Sequence, residues 1–200
     1  MAEVNFGNDG NFSHEKMIQK VNTNLANELG NLCQRSLSMV FKNCDKAIPT
    51  PTAIADDHSH SHSHHPTFTE ADEVVLSKAR ALLPICNEAI ATQSIHKYVD
   101  SLIQITWDAN KYFDAMEPWV LRKTNPKRME TVLYVIMEVL RNVAILYQPL
   151  MPDSANQILD QLAVPDTERT FDHLEAPLVG GRAISKPKGV FPRIATVDVD

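Results

Sequence analysis

Apolar residues recur at steps of three and four through most of this chain, and the interruptions divide it into helices. Ile18, Val21, Leu25, Leu29, Leu32 and Val40 form one stripe, which predicts a helix from an N-cap at Ser13 to about Asn43. Thr69 and Asp72 stand at capping-box spacing ahead of Val75, Leu76, Ala79, Leu82 and Leu83, and Pro84 is expected to kink that second helix before Ile85 to Ala91. A third helix is predicted over Ser94 to Met116. Val99, Leu102, Ile103, Thr106, Trp107, Asn110 and Phe113 lie along one side of it, so Trp107 and Tyr112 read as core. Pro118 ends it.

Asn125-Pro126 opens a fourth helix, because proline at the first helical position gives up no hydrogen bond. It carries Met129, Val132, Leu133, Ile136, Leu140, Val143 and Leu146 and stops near Pro149. Pro152 begins a fifth, shorter helix with Ile158, Leu159 and Leu162. The pattern predicts an all-α protein, an up-and-down bundle of about five helices. Residues 1–12 read as a connecting segment, 13–164 as the bundle and 165–200 as an extended tail rich in proline and glycine. Val190-Phe191-Pro192 in that tail reads as an anchor onto another surface. Residues 48–68, with the run DHSHSHSHHP from Asp57 to Pro66, form a polar, low-complexity insertion with no means of packing.

Composition adds limits. An apolar share of 44% supports a real core. No stretch approaches the roughly 20 apolar residues needed to cross a bilayer, so no membrane partner is expected. Met1 to Gly10 lacks the apolar segment of a signal peptide, and residues 1–20 lack transit-peptide character. A cytoplasmic protein is expected, with an organellar matrix as the alternative. Cys33, Cys44 and Cys86 make neither a metal pair nor an even disulfide set, and Cys33 and Cys86 read as buried free thiols in a reducing compartment. A net charge of −6 argues against a protein that coats nucleic acid, but leaves room for a small site reading a few unpaired nucleotides.

Two polar constellations could form such a site. Asn24, Asn31, Arg35 and Lys42 share a ridge of the first helix beside its apolar stripe. Asn31 and Arg35, at i,i+4, project to one spot and offer an amide and a planar fork of donors suited to the edge of an unpaired base, cytosine especially. Spacing alone also admits a solvated ridge with an incidental Asn–Arg contact. Trp119, just past a helix end, is followed by Arg122, Lys123, Lys127 and Arg128, the composition of a base-stacking platform with phosphate partners. The alternative is a packed tryptophan among solvated cations. His58, His60, His62, His64 and His65 are weak metal candidates, since imidazoles at i,i+2 bind zinc, nickel or copper adventitiously. His14, His96 and His173 stand alone.

Asn27 to Met39 (NELGNLCQRSLSM), Trp107 to Thr124 (WDANKYFDAMEPWVLRKT) and Thr131 to Pro152 (TVLYVIMEVLRNVAILYQPLMP) are similar to the anticodon-binding domain of methionyl-tRNA synthetases. Phe6 to His14 (FGNDGNFSH) resembles the stretch linking that domain to the catalytic one. The likeness covers most of the chain in the family's order. The strongest parts are the N-L-x-x-R run, Asn31 to Arg35, and the AMEPW run, Ala115 to Trp119.

The resemblance implies the class Ia aminoacyl-tRNA synthetase anticodon-binding bundle. It implies methionine tRNA, with its CAU anticodon, and the enzyme's own catalytic domain as partners. Asn31 and Arg35 would contact the first anticodon base, and Trp119 would stack on an anticodon base. Asn24, Lys42, Arg122 and Lys123 are supporting candidates from the ridge and the cluster. The family's ATP- and magnesium-dependent activation of methionine uses H-I-G-H- and K-M-S-K-type motifs. Neither occurs in these 200 residues, so no catalytic residue and no cofactor is expected here, and the chain is expected to be a portion of a longer ligase, inactive alone. Two rival readings are a metal-binding helical protein built on the histidine loop and a structural bundle that has lost RNA binding.

Overall fold

A computed structural model describes residues 28–51 and 68–190, together with positions 15, 16, 19 and 23. Seven α-helices lie wholly within the described stretches: α1 (Gly30–Asn43), α2 (Glu70–Arg80), α3 (Leu82–Ala91), α4 (Ile95–Met116), α5 (Pro118–Thr124), α6 (Pro126–Tyr147) and α7 (Pro152–Gln161). The five predicted helices are all represented. The additional count arises because the second divides into α2 and α3, and because α5 was not foreseen. Of the first predicted helix, the part before residue 28 lies largely outside the described residues.

Helix α6 is the axis. Every residue from Thr131 to Tyr147 is buried, so that stretch has no solvent face, and α1, α2, α4, α5 and α7 pack around the helix. Asn125 caps its start, the side-chain Oδ1 accepting from the Arg128 N–H at 3.2 Å, with Pro126 at the first helical position. The α2–α3 break falls at Ala81, one turn ahead of Pro84. Proline offers no N–H to the carbonyl four residues back, and the chain parts there instead of bending at the ring. The capping box at α2 is present: the Thr69 N–H donates to Asp72 at 2.9 Å and the Asp72 N–H to Thr69 Oγ1 at 3.5 Å.

The tail packs onto the bundle. Over 165–190 it makes two short 3₁₀ turns, Asp166–Glu168 and Phe171–Glu175, and lays Leu174, Leu178, Ile184 and Val190 into the main core. Val190 therefore anchors onto this bundle, while Phe191 and Pro192 lie outside the described residues. Buried Glu138 and Arg141 of α6 fasten the tail: Arg141 donates to the carbonyls of His173 and Leu174, and Glu138 accepts from the Leu178 N–H at 2.9 Å. Ala47 and Ala183 form an isolated antiparallel bridge that ties the end of the α1 segment to the tail. Trp107, expected in the core, is 41% exposed, whereas Tyr112 is buried.

Cys33, Cys44 and Cys86 are all free and buried. Burial pushes the Cys33 and Cys44 thiols up to about 12, with Glu130 and Asp45 adding to the effect at Cys44.

Candidate nucleic-acid interface

Helix α1 is oriented by its apolar side, where Leu32, Cys33, Ser36, Leu37 and Val40 are buried. That leaves Asn31, Arg35 and Lys42 exposed along one ridge. The start of the ridge is held to α4, since Asn110 Nδ2 donates to the Glu28 carbonyl at 3.3 Å. Asn24 lies outside the described residues.

The two constellations meet at Arg35. Its guanidinium carbon lies 4.8 Å from the centre of the Phe113 ring and 5.8 Å from that of Trp119. The two rings contact each other at 5.9 Å, tilted by 59°. Arg35 Nη2 also donates to Asp114 Oδ1 at 2.9 Å. Phe113 is buried and forms the floor, while Trp119 is 40% exposed and forms the wall. Arg35 thus sits in an aromatic corner with a carboxylate on one edge, and the rest of its donors make no other hydrogen bond among the described residues.

Helix α5 supplies that wall. It follows Glu117, whose φ of 47° places it in the left-handed region, and only Pro118 of the helix is buried. Arg122 and Lys123 in its last turn are exposed and form no ion pair among the described residues. Lys127 is exposed too, but Arg128 is not part of any cationic surface. It is spent on buried Asp72, with bonds of 2.6 and 2.8 Å to the two carboxylate oxygens. Phe113 and Asp114 were missed by sequence reasoning. Phe113 looks like ordinary core, and Asp114 stands 79 positions from the arginine it pairs with.

His58, His60, His62, His64 and His65 lie outside the described residues. Among the described residues no group of three or more His, Cys, Asp or Glu side chains is placed to hold a metal ion, and no helix is long and apolar enough to cross a membrane.

Comparison with known proteins agrees with this architecture. The family described as the anticodon binding domain of methionyl tRNA ligase matches residues 64–200, and the family of class I tRNA synthetases (M) matches residues 1–37. The methionine–tRNA ligase of Brucella suis biovar 1 is 46% identical over 99% of this chain and 36% of its own length. That of Mycobacterium tuberculosis H37Rv is 42% identical over 96% of this chain and 35% of its own. The crystal structure of Mycobacterium tuberculosis methionyl-tRNA synthetase bound by methionyl-adenylate superposes with a TM-score of 0.78 at 41% identity. It covers 89% of this chain and 33% of that one. The fold and these matches define the class: a helical anticodon-binding module of the class I tRNA synthetases. The chain belongs to the methionyl-tRNA ligase family and carries its anticodon-binding domain, spanning about a third of the length of the relatives it matches.

Proposed function

We propose that this bundle reads the CAU anticodon of methionine tRNA on behalf of a methionine–tRNA ligase. The observation that carries the reading is Arg35, which lies over Phe113 and Trp119 and makes one hydrogen bond among the described residues, one turn after exposed Asn31. The first anticodon base would be met at its Watson–Crick edge by Asn31 and Arg35, and an anticodon base would stack on the open face of Trp119. Asp114 holds the guanidinium through one exposed ion pair and leaves it free to pivot, because such a pair contributes only about 0–1 kcal/mol. Lys42, Arg122 and Lys123, with Asn24 on the same α1 ridge, would meet the RNA backbone.

In this reading ATP and magnesium serve methionine activation in the enzyme's catalytic domain, in the cytoplasm, and none of the residues described here handles them. Binding at the anticodon orients the acceptor end of the tRNA toward that domain.

Titrating a CAU anticodon stem-loop against the chain and its variants tests the site. Arg35→Ala and Trp119→Ala should each weaken binding by about 1–3 kcal/mol. Replacing the first anticodon base should remove most of the Arg35 effect. Both variants binding like the unaltered chain would sink the assignment.

A further inference from the structure

We infer that Asp72 and Arg128 form a clamp that positions Trp119, so that both act on the anticodon site without touching RNA. Asp72 is completely buried at the start of α2. Its carboxylate accepts from both terminal nitrogens of Arg128, from the Tyr112 hydroxyl at 2.5 Å and from the Thr69 N–H. Arg128 Nη2 also reaches Thr69 Oγ1 at 3.1 Å and Met116 Sδ at 3.6 Å.

The positions of these partners carry the inference. Tyr112 and Met116 belong to the last turn and a half of α4, and Arg128 to the first turn of α6. Between them lies only α5, the helix that bears Trp119. Helix α5 packs against α6 but buries little of itself: Pro118 is buried, Leu121 is half-buried, and its other residues are exposed. Its two ends, Glu117 and Asn125, both depart from helical geometry and so serve as hinges. A short, poorly buried helix between two hinges takes its position from whatever holds the hinges. Here that is one carboxylate gripping both flanks. The adjacent residue on α4, Phe113, is the ring on which Trp119 leans.

The clamp rests on the proposed anticodon reading for its function, and a double-mutant cycle separates the two. Trp107→Phe leaves Trp119 as the sole tryptophan and fluorescent reporter. In that background, Asp72→Asn/Arg128→Met removes both charges at once, so neither is left buried and unpaired. The expected result is a red-shifted Trp119 emission, an unfolding midpoint within a few degrees of the background protein, and binding of the CAU stem-loop weakened about tenfold. Adding Trp119→Ala to the clamp variant should cost nothing further, because the loss already runs through Trp119. Unchanged emission overturns the clamp, and so do losses that simply add. If Trp119→Ala alone binds normally, the anticodon reading fails and the emission shift alone decides the clamp. Should the double variant not fold, Tyr112→Phe removes a single bond to Asp72 and is expected to give the same non-additive pattern at about twofold to threefold. Additive loss or an unmoved emission there overturns the inference as well.

Discussion

Arg35 and Arg128 are separated by what surrounds them more than by what they are. Arg35 is held by two aromatic rings and one exposed carboxylate, contacts worth about 0.5–1 kcal/mol each at such a surface. In the proposed anticodon site it would exchange Asp114 for a base at small cost. Arg128 grips a carboxylate with no solvent access, and breaking such a pair costs about 3–5 kcal/mol because a charge is left uncompensated. Burial alone would push the Asp72 carboxyl up. Hydrogen bonds from Arg128, then Tyr112 and Thr69, together with the charge of Arg128, outweigh that and hold it below its ordinary 3.8. A carboxylate depressed in the folded state stabilises fully above its unfolded value, and that stability is lost as pH falls through the folded one. Asp72→Asn should therefore be markedly less stable at neutral pH, yet lose less stability than the unaltered protein on acidification below about pH 4. Denaturant melts at neutral and acid pH would show it. A parallel decline in both proteins would mean that Asp72 is not what acid titrates.

Helix α5 shows where the pattern in the sequence stops being informative. Pro118 reads equally as the end of α4 and as the first residue of a new helix, and only the packing of the chain on both sides decides. Other features were legible because they are local. The Thr69–Asp72 box, the Asn125-Pro126 start and the apolar stripe of α6 each depend on neighbours within one turn. The second job of Asp72 was hidden, its partners Tyr112 and Arg128 lying 40 and 56 positions away. Trp107 misled for a related reason: it is placed at the margin of the α4 stripe, where helical period does not separate a buried ring from a half-exposed one. Of the proposed anticodon contacts, Asn31, Arg35 and Trp119 were picked out as residue types, but the aromatic corner that joins two of them was not legible. The hinge at Glu117 yields a prediction of its own. A left-handed φ of 47° burdens a residue with a Cβ and suits glycine. Glu117→Gly should raise stability by about 0.5–1 kcal/mol, read from the denaturation midpoint. A fall would show that the glutamate contributes more there than its backbone strain costs.

At the scale of the whole molecule, the bundle is not a set of helices with an appendage. The tail packs against α6 and satisfies the buried Glu138–Arg141 pair. Ending the chain after Val164 would strip Leu174, Leu178, Ile184 and Val190 from the core, at about 1.5–3 kcal/mol for each side chain. It would also leave polar groups of Glu138 and Arg141 without their backbone partners. The sum is comparable with the entire net stability of a domain, about 5–15 kcal/mol. Such a truncation should therefore lose cooperative thermal unfolding, not merely shift its midpoint. Deleting Asp57 to Pro66 is the control, because that run has no apolar side chains to contribute. Its removal should leave both the melt and stem-loop binding nearly unchanged. The contrast tests the architecture and the histidine loop together. A truncated bundle that still melts sharply would show that the tail only decorates the core, and a loop deletion that abolishes RNA binding would return the histidines to the functional site.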